Sequence, residues 1–177
     1  MRTVTKNIYE FSELSEPAKQ KAVQNHSDIN TNDSWWDSIY SDAKEIGLKI
    51  ESFDLDRSRH ATGELINSHL EVISAIKENH GDVCDTYKLA IEYDRKWIEL
   101  VSKHSDGTTL DKVTEEQESD FDQEADELEF EFEKELLECY SIILQKEYEY
   151  LYSEEAIIET IEANEYEFDE QGNIYRS

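Results

Sequence analysis

The sequence predicts an α+β fold that is mainly α-helical: a helical bundle or αα-hairpin carrying a small antiparallel β-sheet. Three observations lead there. Apolar residues recur at spacings of three and four through most of the 177 residues, whereas strict alternation is confined to short stretches. Aromatic side chains make up 11% of the chain, enough to fill a core although 34% is charged. The third is the segment Thr114–Glu138. Between Glu115 and Glu138 it holds 13 carboxylates with Lys134 as its one basic residue, yet Phe121, Ala125, Leu128, Phe132 and Leu136 form a single apolar stripe. That pattern is a helix with one buried face and a dense negative one.

In chain order, Thr3–Phe11 alternates and is β-prone, which predicts a first strand. Ser15 with Pro17 predicts a helix cap and a helix to about His26. Ser34 and Asp37 predict a capping box around Trp35 and Trp36, with the helix running to Ile46 and stopped by Gly47. Leu48–Asp56 alternates with one slip at Ser52, Arg57–His60 reads as a turn and Ala61–Ile66 as the returning strand, so a hairpin is expected. Leu70, Ile73, Ala75 and Ile76 share a helical face, closed by His80 and a left-handed Gly81. Cys84, Tyr87, Ile91, Ile98 and Val101 give a heptad-like stripe on a helix from Asp82 to about His104, with Trp97 and Leu100 beside it. After the loop Ser105–Thr109, the acidic helix can continue from Glu115 to Leu151, a length that base rates disfavour and that leaves open whether it is one continuous helix or is bent or broken. Ser153 caps a short helix Ala156–Ala163. Tyr166–Phe168 and Ile174–Tyr175 then flank a turn supplied by Gly172 and Asn173. With no internal repeat and no Pro/Gly/Ser linker, residues 1–177 are expected to form one domain, with a mixed α/β part (1–110) and an acidic helical part with a C-terminal hairpin (111–177).

Charge bounds the function. The formal net charge is −27, and it is uneven: residues 1–110 carry 20 acids and 13 bases, residues 111–177 carry 24 and 4. Such a field repels nucleic acid and anionic lipid and attracts basic surfaces. Direct nucleic-acid or membrane binding is therefore not expected. The partner it selects is a basic nucleic-acid-binding protein, and self-association as a homodimer is compatible with the sequence. No run of apolar residues is long enough for a membrane span. Cys84 and Cys139 fall on faces read as buried and lack metal spacing, which predicts reduced, packed thiols in a cytoplasmic protein.

Catalytic motifs are sparse, and no enzyme, cofactor or metal is predicted. Asp54, Asp56 and Glu64, beside Arg57, Arg59 and His60, form the one constellation that suggests a metal-dependent phosphotransfer site, yet acids are so frequent here that chance supplies it. His80 and Cys84 are too few for zinc. Asp169–Asn173 lacks the spaced oxygens of a calcium loop and reads as a turn. Trp35 and Trp36, with Tyr40, are either core or a docking patch.

The candidate site is thus the acidic face itself: Glu115, Glu116, Glu118, Asp120, Asp122, Glu124, Asp126, Glu127, Glu129, Glu131 and Glu133. At roughly 1.5 Å per residue, the helix carries a carboxylate about every 2.8 Å. One DNA strand carries a phosphate about every 3.4 Å. Ordered carboxylates at that density can occupy a basic nucleic-acid-binding cleft.

Several blocks also resemble a known group of proteins: Trp35–Asp56, Arg57–Glu64, His80-Gly81 with Cys84 and Thr86-Tyr87, and Tyr140–Leu151 through Phe168. Together they are similar to a family of small acidic proteins of bacteriophages and prophages, sometimes labelled antitoxin-like. The resemblance implies a phage product acting in the host cytoplasm, of a kind that often inhibits host defence as anti-restriction or anti-CRISPR proteins do. It implies no catalytic residues. The alternative it leaves is an antitoxin-like or accessory protein that neutralises one partner through a shape-specific surface.

Overall fold

Tyr9–Glu10 (β1) pairs antiparallel with Glu167–Phe168 (β4), so the first and last described segments close one small sheet. The computed structural model describes residues 7–104 and 115–175 and shows the mainly helical α+β fold. The chain divides into two compact units, one from residues 1–35 and 146–177, the other from residues 36–145. The division does not follow the composition step at residue 110.

In the first unit, β1 leads into a 3₁₀ turn, Phe11–Glu13, and then α1, Glu16–Asn25. Of the expected strand Thr3–Phe11 only Tyr9 and Glu10 are extended, while Thr3 to Lys6 lie outside the described residues. Phe11 leaves the strand because Glu10 and Glu13 form a capping box, the Glu10 N–H donating to the Glu13 carboxylate at 3.0 Å. Pro17 sits in the first turn of α1, where a missing N–H costs nothing. The helix α6, Glu154–Ala163, has the Ser153 cap expected, its hydroxyl oxygen accepting the Ala156 N–H at 3.2 Å. Phe11, Leu14, Ala18, Ala22, Ile157, Ile161 and Phe168 make this unit's core.

The C-terminal turn is tighter than a hairpin needs to be. Asp169 accepts the backbone N–H groups of Gln171 and Asn173, and one bridge pairs Phe168 with Ile174. Those hydrogen bonds, the Asn173 amide foremost, hold the Asp169 carboxyl below its ordinary range. Gly172 has φ +76°, and a Cβ there would lie 2.1 Å from the Ala18 carbonyl oxygen. Gly172→Ala therefore combines a left-handed backbone penalty with overpacking against main chain, and is expected to destabilise by about 2–4 kcal/mol. Gly81→Ala is the control, with nothing within 4 Å of its added carbon and no positive φ. Urea denaturation of both variants should show a lowered midpoint for the first alone.

In the second unit α2 spans Asp37–Glu45. The capping box expected at Ser34 does not form: Trp35 and Trp36 lie in a turn, and Trp36 itself occupies the N-cap position with helical angles. Gly47, at φ +91°, ends the segment as expected. The hairpin pairs β2, Leu48–Asp54, with β3, His60–Leu65, and its register shifts between Ile50 and Ser52, where the alternation slips.

Two helix faces differ from expectation. α3, His69–Asn79, opens on a capping box of Ser68 and Glu71 and buries His69, Val72, Ile73 and Ile76, leaving Leu70 exposed. Gly81 is not left-handed, since His80 already leaves the helix in an extended conformation. α4, Asp85–His104, buries Thr86, Leu89, Ala90, Tyr93 and Leu100. The expected stripe of Cys84, Ile91, Ile98 and Val101 faces outward instead. Both sets are helix-periodic, and the bulkier Tyr93 decides which one is buried.

α5 runs unbroken from Glu115 to Leu151, 37 residues. It buries Ala125, Phe132, Leu136, Tyr140 and Leu144, and leaves Ile143 exposed. Trp35 and Trp36 are each half-buried, their rings 5.6 Å from those of Tyr148 and Phe53 respectively.

Candidate functional site: the carboxylate face of the long helix

The buried positions of α5 fix its acidic face. From Phe132 onward they advance by four residues, Leu136, Tyr140, Leu144. Since an α-helix turns every 3.6 residues, each such step rotates the buried line by about 40°. The line is therefore oblique, and carboxylates flanking it are drawn against neighbouring elements.

Three of the predicted site residues are used in this way. Glu124 holds Lys103, with both oxygens 2.6 Å from Nζ, and lies 3.4 Å from His104. The Lys103 ammonium, first of these, keeps the Glu124 carboxyl below its ordinary range. Glu129 lies 2.7 Å from His69 Nδ1, on a ring whose centre is 4.3 Å from that of Trp97. Glu133 accepts the backbone N–H of Leu65 at 3.2 Å, anchoring the end of β3 to the helix. The expectation that all eleven carboxylates form one outward face is corrected here: Glu124, Glu129 and Glu133 are half-buried and serve the unit's own packing.

The remainder face outward. Asp120, Asp122, Asp126, Glu127 and Glu131 are exposed, and only Glu127 has a hydrogen-bond partner among the described residues, the Gln123 amide at 3.0 Å. Glu115, Glu116 and Glu118 belong to the start of the helix, where negative charge complements its dipole, and their side chains lie outside the described residues. Asp122 with Asp126, and Glu127 with Glu131, are like charges at i, i+4, each pair opposing the helix by about 0.2–0.5 kcal/mol. A groove of about 360 Å³ runs beside this row, with Lys96 and Lys103 from α4 facing Glu124, Glu127 and Glu131.

Sequence reasoning missed Phe130, which stands 67% exposed within the acidic row. It also missed a partly buried polar chain in which the Tyr140 hydroxyl donates to Asp42 at 2.7 Å, Asp42 lies 3.5 Å from His80 Nε2, and His80 Nδ1 is 2.7 Å from the Thr86 hydroxyl. This order of hydroxyl, imidazole and carboxylate is that of a nucleophile, its base and an orienting acid. Thr86, however, is only 3% exposed, so the chain joins α2, α3, α4 and α5 rather than facing a substrate. No sequence signal marks it, since its members are scattered from position 42 to 140.

The hairpin separates the other constellation. Glu64 pairs in register with Lys49 and is bound by it at 2.7 Å, while Asp54 pairs with His60 and accepts the Asp56 N–H. Five positions along a strand place Asp54 and Glu64 about 15 Å apart, too far to share one ion. Among the described residues no group of three or more His, Cys, Asp or Glu is arranged to hold a metal. Cys84 is exposed and Cys139 half-buried, which corrects the expectation of two packed thiols. Burial, reinforced by the Asp85 carboxylate, pushes the Cys139 thiol up. No helix among the described residues is long and apolar enough to cross a membrane.

Compared with protein-family models, with curated proteins and with solved structures, the chain finds no significant match in any of the three.

Proposed function

We propose that this chain is a non-enzymatic, phage-encoded inhibitor of a host defence protein, of the anti-restriction or anti-CRISPR type. In this reading it acts in the host cytoplasm as an acidic nucleic-acid mimic and needs no cofactor. The phage origin rests on the resemblance of residues 35–56 and 140–168 to small acidic phage proteins. The observation that carries the mimicry is the unbroken α5 with Asp120, Asp122, Asp126, Glu127 and Glu131 exposed along it. These five span eleven helical steps, about 16 Å, or one charge per roughly 4 Å. The packed carboxylates are thus subtracted, and the spacing still approaches the ~3.4 Å between phosphates of one strand. The rigidity of a packed helix holds these charges in place before binding, which lowers the ordering cost.

The test is capture from a host lysate at low and high salt, with duplex DNA as competitor. The expected catch is basic nucleic-acid-binding protein, released by salt and displaced by DNA. A variant with Asp120, Asp122 and Asp126 as Asn and Glu131 as Gln should lose it by at least about tenfold, with stability equal or higher because repulsion is relieved. Glu124→Gln, Glu129→Gln and Glu133→Gln together should instead lower stability and spare capture. Binding that ignores both salt and the first variant would sink mimicry.

One observation favours a second reading, an antitoxin-like or accessory protein with a shape-specific surface. Phe130 offers an aromatic anchor, the residue type that dominates interface energetics. In that case Phe130→Ala costs more binding than the loss of the acids does.

A further inference from the structure

We infer that two copies of this chain associate through α4, antiparallel about a two-fold axis near residues 93 and 94, an assembly independent of the mimicry proposed for α5. The outward face of α4 is apolar along one edge, where Ile91 and Ile98 are 44% and 58% exposed and Cys84 is exposed just before the first turn. Beside that edge the helix carries exposed charges in the order Lys88, Glu92, Arg95, Glu99. Reversed, this order becomes Glu99, Arg95, Glu92, Lys88, so the face is complementary to itself.

Laid antiparallel on its copy, Lys88 of one chain meets Glu99 of the other, and Glu92 meets Arg95. The two-fold repeats each pair, as an isologous interface requires. The same alignment sets Ile91 within two residues, about 3 Å of rise, of Ile98 across the axis, so both cover each other. In antiparallel helix pairs like flanks face one another, which is what brings the charged edge against its own copy.

Charge also favours a second copy on this helix. The molecule carries −27, yet α4 has four acidic and four basic residues and is neutral. Its present partners do not compete strongly. Lys88 binds Asp85 at 3.0 Å, Lys96 binds Glu92 at 2.9 Å, and Arg95 lies 3.8 Å from Glu99, all within one helix. Such exposed intrahelical pairs are worth little and are shared or exchanged on association.

The experiment is sedimentation equilibrium of the purified full-length chain and its charge variants. The wild type is expected to give twice the 20.8 kDa chain mass at high concentration. K88E sets two negative charges face to face at each Lys88–Glu99 contact, and E99K sets two positive ones there, so each alone should raise the dimer Kd about tenfold or more. In an equimolar mixture of the two variants, a mixed dimer has one chain acidic at positions 88 and 99 and the other basic at both, so each contact again joins opposite charges and dimer should recover. The double variant K88E/E99K in one chain exchanges the signs at both contacts and should recover dimer to near the wild-type Kd. Because recovery in the double variant needs the reversed pair to meet across the axis, misfolding of a single variant cannot imitate it. A wild type that stays at 20.8 kDa at every concentration, single reversals without effect, or a double variant that remains monomeric overturns the proposal.

Discussion

Phe132→Ala is expected to destabilise the second unit by about 3–5 kcal/mol, whereas Phe130→Ala, two residues away, should change stability by less than about 0.5 kcal/mol. Phe132 is 1% exposed and its ring centre lies 5.1 Å from that of Tyr93, so the α4 and α5 aromatics meet there. Truncation removes the transfer free energy of the ring and leaves a cavity that a close-packed core closes only in part. Since a domain's whole stability is about 5–15 kcal/mol, this one change can unfold a large fraction of the molecules. Phe130 projects away from that buried line and has little to lose. Paired chemical denaturation curves decide the matter. Equal midpoints for the two variants would mean that the buried line of α5 has been placed on the wrong residues.

The contrast shows what was readable in the sequence. The α5 stripe of Phe121, Ala125, Leu128, Phe132 and Leu136 was legible because acids occupy almost every other position, leaving one set of apolar residues to bury. α4 offers two such sets, and periodicity reports the period without reporting the phase. Cys84, Ile91 and Ile98 fit a helix as well as Leu89, Tyr93 and Leu100 do, and only packing against α3 and α5 separates them. The hairpin bulge was visible at Ser52 because a slip in alternation is local. The β1–β4 ladder and the chain from Tyr140 to Thr86 were not, since each joins residues far apart that carry no local pattern.

The same limit applies to the candidate site. Counting carboxylates gave its charge, but not which of them the fold uses. Glu124, Glu129 and Glu133 read like their neighbours, and only the positions of Lys103, His69 and the Leu65 N–H show that they are engaged. Density alone therefore overstated the outward field by the number of acids drawn into packing.

Raising the pH should unfold this protein earlier than its charge alone requires, through two tyrosines. Burial, with the carboxylates of Glu135 and then Glu131 adding repulsion, pushes Tyr93 from 10.0 up to about 12. Burial first, and then the hydrogen bond it donates to Asp42, raises Tyr140 still further. For an acid raised on folding, both states are protonated below pH 10 and nothing is lost. Above it, the unfolded chain releases its proton while the folded one cannot, so stability falls by up to about 1.4 kcal/mol per pH unit for each residue. For Tyr93 the fall continues to about pH 12, where the folded phenol also ionises. Tyr93→Phe removes that component. At neutral pH it should change stability by less than about 1 kcal/mol, because the buried Tyr93 hydroxyl has only a poorly aligned acceptor in the Glu135 carboxylate. Tyr140→Phe flattens the alkaline fall as well, but at neutral pH it loses the bond to Asp42, a net cost of about 1–3 kcal/mol. Thermal melts of the three proteins from pH 7 to pH 11 separate these effects. If Tyr93→Phe follows the wild-type curve throughout, its phenol is not buried, and the packing of α4 on α5 must be redrawn.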